Sequence, residues 1–134
     1  MDDARAQALA DGYLTYITSG DASVLAMFSP EFYDNVSETR GLDILDVVRG
    51  WLDESFADRS ADLHLVTRTD DTVVIWCTAR GRPIGNGFPR LKGLPVSGNQ
   101  VAWPQVHVFR LADDPVVEHW AVRDDAAMLD AVKA

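Results

Sequence analysis

A chain of 134 residues with 47% hydrophobic and 25% charged side chains is one ordinary globular domain, residues 1–134, with material for a single core. Its net charge of −9, from 21 acids against 12 bases and with no lysine or arginine cluster, argues against nucleic acid as a partner. No apolar run nears the roughly 20 residues that cross a bilayer, "MDDARAQALADGY" carries no signal-peptide pattern, and the single Cys77 excludes an internal disulfide, so no membrane partner and a cytoplasmic setting are expected.

The first elements are helical. Leu9, Tyr13, Tyr16 and Ile17 recur at helical spacing, and Gly20 follows as a stop. Asp21 can cap a short helix through "ASVLAMFS", ended by Pro30. "EFYDNVS" is too short and polar for a helix and reads as a strand or an irregular entry into a cavity. "GLDILDVVRGWLDESF" is helical again, with Leu45, Val48, Leu52 and Phe56 in one stripe widened by Ile44 and Trp51.

After residue 60 the period changes to two. Residues 63–68 alternate, "TDDT" marks a turn, and "VVIWCTARGR" sets Val74, Trp76, Thr78 and Arg80 against Val73, Ile75, Cys77 and Ala79. Residues 83–100 hold four glycines and three prolines and form either a lid or a surface excursion. "VAWPQVHVFRL" and "PVVEHWAV" make the last strand pair, joined at "ADD", and "DDAAMLDAVKA" closes as a helix. Helices followed by antiparallel hairpins predict an α+β fold, with helices packed on one face of a curved sheet.

Alternation places Val101, Trp103, Gln105, His107 and Phe109 on one strand face. Two polar groups among aromatics suit a mostly apolar pocket, although an ordinary core with His107 held by a backbone carbonyl fits the same pattern. On the following strand the register decides everything. With a two-residue "DD" turn, position 107 faces 120, and Glu118 and Trp120 share the face of His107; a one-residue slip brings in His119 instead. Trp76 and Arg80 share a face, where Arg80 could hold a substrate carboxylate or sit at a rim. "GRPIGNGFPRLKG" lacks the third glycine and the helix of a dinucleotide site, so no cofactor is expected. His107 and His119 with Glu118 or Asp124 are a poor metal set, because adjacent strand residues point apart; no metal is expected. Cys77, in an apolar strand, reads as inert core.

The order of elements, together with "QVHVFRLADDPVVEHWAVRDDAAML" and "GLPVSGNQV", resembles the SnoaL-like polyketide cyclases of the NTF2-like superfamily. That resemblance implies a conical α+β barrel whose N-terminal helices pack on a strongly curved antiparallel sheet, with a deep pocket at the wide end. It implies a homodimer or larger homo-oligomer and a cofactor-free enzyme that closes a carbon ring by intramolecular aldol addition on a small molecule, an aromatic polyketide ester. It places the catalytic histidine at His107 and turns His119 and Ala121 into the cavity. The family's general acid/base aspartate falls on Ala121, which cannot titrate, so the mechanism does not carry over whole. Asp124 matches a further acidic position, or caps the terminal helix. His107, His119 and Asp124 are therefore the catalytic candidates. Gln105, Trp103, Trp120, Tyr13, Tyr33, Asn35, Trp51 and Trp76 are the candidates for substrate binding, Asp34 or Asn35 standing where relatives put a polar residue at the pocket mouth. Epoxide opening or hydration, as in other superfamily members, and ligand binding without chemistry stay open beside acid/base cyclisation.

Overall fold

The computed structural model describes residues 1–96 and 98–134; Ser97, within the connection expected at 83–100 and within "GLPVSGNQV", lies outside the described residues. Helix α1 (Asp3–Ser19) starts where the Asp2 carboxylate accepts the Arg5 N–H at 2.8 Å. It stops at Gly20, whose left-handed φ of 81° lets its N–H close onto the Tyr16 carbonyl. Asp21 then caps the short helix expected after it, which is of 3-10 type (Ala22–Met27). The predicted stop at Pro30 is too late: strand β1 (Phe28–Asp34) already contains it, in a stretch of irregular pairing where a missing N–H costs little.

A two-residue strand, β2 (Thr39–Arg40), pairs with the end of β1 and leads into α2 (Asp43–Ser55). Then come four long strands: β3 (Phe56–Thr69), β4 (Thr72–Pro83), β5 (Val101–Leu111) and β6 (Val116–Arg123), with α3 (Asp125–Lys133) last. Phe56, expected on the helical stripe, opens β3 instead. The described strands form one sheet in the order β2-β1-β6-β5-β4-β3. Every neighbouring pair is antiparallel except β1 and β6, which run parallel because β1 joins β6 across most of the chain rather than through a hairpin. Two irregularities in β3, at 57/60 and 63/65, accompany the curvature of the sheet. Gly81 of β4 lies opposite the first of them, where a Cβ would come within 2.9 Å of the Phe56 Cβ.

The main core packs Leu9, Ala10 and Tyr13 of α1 against Phe32, Val73, Ile75 and Phe109 of the sheet. A second cluster joins Phe56, Phe88, Leu91, Trp103, Met128 and Val132. Residues 84–88 are thereby a wall rather than a lid. The Phe88 N–H donates to the buried Ser55 Oγ at 2.7 Å, and the Ile84 N–H donates to the Ser55 carbonyl at 2.8 Å. The apolar stripe of α2 is only half-buried, because it faces a cleft instead of a filled core. No helix among the described residues is long and apolar enough to cross a membrane.

Candidate active site

The register of β5 and β6 decides which side chains enter the cleft. The connection is not a two-residue turn. Ala112 N–H closes onto the Pro115 carbonyl, with Asp113 at a φ of 60°. Arg110 then pairs with Glu118 while Leu111 pairs with Val116, so Val117 is an extra residue in β6. That bulge reverses the alternation. His107 faces Ala121, Phe109 faces His119 and Gln105 faces Arg123, all on the concave side. Glu118 is turned outward, where Arg110 and Asn35 hold it.

The concave row carries one continuous set of hydrogen bonds. His107 Nε2 lies 2.7 Å from Gln105 Oε1, and its Nδ1 lies 2.9 Å from His119 Nε2. His119 Nδ1 lies 2.9 Å from Asp34 Oδ1. Asp34 is fixed in turn by the Ser37 hydroxyl, which donates to Oδ2 at 2.7 Å, and by the N–H groups of Val36 and Ser37 at 3.3 Å. Asp34, Gln105, His107 and His119 are all buried.

An ionised carboxylate only accepts, so His119 Nδ1 carries a hydrogen. The proton between the two rings has two homes. If His119 Nε2 is bare, His107 Nδ1 donates to it and His107 Nε2 presents a lone pair toward Gln105. If His119 Nε2 is protonated, the positive charge rests beside Asp34, and His107 donates from Nε2 to the Gln105 carbonyl. The two arrangements differ by one proton, which is what a relay requires.

Environment sets the proton affinities. Burial, the neighbouring His119 and the Arg123 charge hold the His107 pKa well below the usual 6.5, against a smaller opposing pull from Asp34. Burial raises the Asp34 carboxyl, but hydrogen bonds from His119 and Ser37 outweigh it and the net shift is downward. Tyr13, its ring 5.0 Å from that of His107, is driven above its ordinary 10 by burial and stays a phenol. Among the described residues its hydroxyl has no hydrogen-bond partner, and it lines the cleft.

Two connected lobes make up the cleft between α1, α2 and the sheet. One encloses about 890 Å³, part of it continuous with solvent, and includes Asp34, His107, His119, Ala121, Trp51 and Phe88. The other, of about 550 Å³, includes Trp103, Gln105, Arg59 and Val101. Tyr13, His107 and Arg123 line both.

Of the candidates named from sequence, Tyr13, Trp51, Trp103, Gln105, His107 and His119 meet in this cleft. The others do not. Trp76, 49% exposed and packed on His64, and Trp120, 39% exposed, lie on the convex face, the latter because of the Val117 bulge. Tyr33 pairs with Glu118 and lies beneath the Arg40 guanidinium, outside the cleft. The Asn35 amide donates to Glu118 and to the His119 carbonyl on the far side of β6. Asp124 caps α3, accepting the Ala127 N–H at 2.9 Å, and takes no part in the site. Arg80 borders the smaller lobe, where Asp62 engages it at 2.9 Å. Cys77 is fully buried, and burial pushes its thiol up to about 11.

Asp34 is the partner that the sequence offered only as an alternative to Asn35. Its signal was present: in "FYD" it stands two residues after Phe32, and strand alternation puts it on that residue's buried face.

Comparison with known proteins agrees with this architecture. The model of the SnoaL-like polyketide cyclases matches residues 7–132. Similar solved structures include TsrD from Streptomyces laurentii, 24% identical over 98% of this chain and 97% of that one with a TM-score of 0.83. AclR from Streptomyces galilaeus is 24% identical over 98% and 97%, with a TM-score of 0.79. A Jannaschia sp. CCS1 protein designated SnoaL-like is 22% identical over 98% and 93%, with a TM-score of 0.78. At these identities the likeness concerns the fold. No curated protein sequence matches the chain. With a family model covering nearly its whole length, this chain belongs to the SnoaL-like polyketide cyclase family.

Proposed function

We propose that the protein is a cofactor-independent acid/base enzyme that removes a proton beside a carbonyl of a flat, mostly apolar, oxygenated small molecule and closes a ring by aldol-type addition. One observation carries this reading: the hydrogen-bonded run Asp34–His119–His107–Gln105 along the wall of an aromatic cleft. A base beside a carbonyl needs a lone pair at neutral pH and somewhere to leave the charge. His107, held neutral, supplies the first; His119 beside Asp34 supplies the second.

The substrate methylene displaces Gln105 from His107 Nε2, which takes the proton as the C–H bond breaks. The His107 Nδ1 proton passes to His119 Nε2, so the positive charge settles next to Asp34. The enolate carbon attacks the second carbonyl, and the new alkoxide accepts a hydrogen bond from the Tyr13 phenol. Return of the proton through His107 Nε2 makes the hydroxyl and resets both rings. Asp34 and His119 together thus stand in for the acid that Ala121 lacks. Epoxide hydration, which needs a carboxylate free to orient water, is less well served, since His119, Ser37 and two backbone N–H groups occupy Asp34.

Hydrogen exchange tests the chemistry without knowledge of the product. In deuterium oxide, the protein should exchange the methylene hydrogens of an aryl β-keto ester far faster than buffer does, followed by NMR. Exchange at the buffer rate would sink the reading.

Self-association through the convex face is part of the same proposal. Leu65, Trp76, Val106 and Val122 are successive cross-strand partners and all are exposed, Val122 at 77%. A second copy laid on this stripe would cover it. Light scattering should give a dimer for the natural chain and a monomer for Val122→Asp; a natural chain that is monomeric at high concentration contradicts it. A cytoplasmic setting suits both the single buried Cys77 and a diffusible substrate.

A further inference from the structure

The cleft holds a positive charge that the relay does not use. Arg123, opposite Gln105 on the ladder, lies with its guanidinium carbon 5.3 Å from the Trp103 ring and 5.4 Å from the Phe88 ring. Two acids follow it in sequence, and neither neutralises it. Asp124 caps α3, and Asp125 accepts the Trp103 indole N–H at 3.1 Å while pairing with Arg90. Asp34, the acid in the same lobe, is committed to His119 and Ser37. Among the described residues the Arg123 side chain makes no hydrogen bond or ion pair, yet it lines both lobes.

A half-buried guanidinium loses part of its hydration and gains only ring faces in return, so its planar set of N–H donors is unfilled. A carboxylate is the group that fills such a fork in two places at once. Arg123 stands diagonally across the β5–β6 ladder from His107, which pairs with Ala121, and both side chains line both lobes, so one bound molecule reaches the charge and the base together. We propose that Arg123 is the anion-binding residue of the cleft, and that the substrate is a flat molecule bearing a free carboxylate on the side away from the carbon that loses its proton. This rests on the acid/base reading for the reacting carbon but not for the carboxylate, and it differs from the ester substrates that the family resemblance implies.

Binding of 2-naphthoate and its neutral isostere 2-naphthamide, measured calorimetrically, tests the assignment. The natural protein should bind the acid at least ten-fold tighter than the amide. Arg123→Gln should erase that preference while the amide's affinity stays within about three-fold, and Arg123→Lys should restore part of it. A melting temperature for each variant separates lost binding from lost folding. Equal affinity for acid and amide, a preference that survives Arg123→Gln, or no binding of either probe would each overturn the proposal. His107→Phe distinguishes the two readings, since it should leave the preference for the acid intact. If the protein exchanges no methylene hydrogens yet shows an Arg123-dependent preference, the catalytic reading fails and the carboxylate site stands.

Discussion

Asp34→Asn is expected to lower turnover by about 10²- to 10⁴-fold while leaving the fold intact. The reason is tautomeric as much as electrostatic. An asparagine can offer His119 its amide N–H, whereupon His119 Nδ1 must accept and its hydrogen moves to Nε2. That hydrogen then occupies His107 Nδ1, and the remaining His107 proton sits on Nε2, where the lone pair is needed. If the asparagine instead offers its carbonyl, the tautomer survives but no negative charge remains to hold the imidazolium. Both outcomes stall the relay. Ser37→Ala removes one donor to Asp34 and leaves the ionic contact, so a loss below about ten-fold is expected. Adding Ala121→Asp to Asp34→Asn should recover part of the rate, because position 121 faces His107 directly. Steady-state turnover checks all three, and an Asp34→Asn variant as active as the natural protein would remove the relay.

His107→Gln has the second large effect, in two measurements of opposite sign. Turnover should fall by about 10³-fold, because glutamine has no lone pair basic enough to take a carbon-bound proton. Stability at mildly acidic pH should rise relative to the natural protein. His107 is held well below 6.5 in the folded chain, so the unfolded chain binds a proton that the folded one refuses. Stability is therefore lost as pH falls below 6.5, by about 1.4 kcal/mol per pH unit for one such group. The substitution removes that slope. A second loss, from the depressed Asp34 carboxyl, begins only as pH falls through its usual 3.8 and persists in the variant. Urea titrations between pH 7 and 5 should show the two proteins diverging as acid is added. Parallel curves would place His107 in water rather than in the wall.

The parts that sequence could carry are those that depend on local period. The helices from Asp3 and Asp43 follow from helical spacing, and the faces of β4 and the row Trp103, Gln105, His107 from strand alternation. What could not be read is register. Trp120 and His119 exchange faces on the single extra residue Val117, and an alternating pattern has no mark for an insertion. Asn35 and Asp34 pose the same difficulty one strand away, since the parallel pairing that aims Asp34 at His119 joins positions 85 apart. Arg123 is hidden for a different reason: the acids beside it in sequence, Asp124 and Asp125, are taken by the α3 cap and by Trp103 with Arg90, which leaves the guanidinium to two aromatic rings.

The place of β6 in the sheet has a consequence for biosynthesis. Among the described strands it alone joins β1 to β5, and it comes last of them in the chain. While it is being made, β1 and β5 wait with open edges, the exposure that invites wrong pairing between nascent chains. Its arrival seals both edges at once and delivers His119 to Asp34 in the same movement. On the proposed chemistry, competence is thus a report that the sheet has closed, and half-made chains, whatever helix they have gained, lack the His119–Asp34 contact it needs.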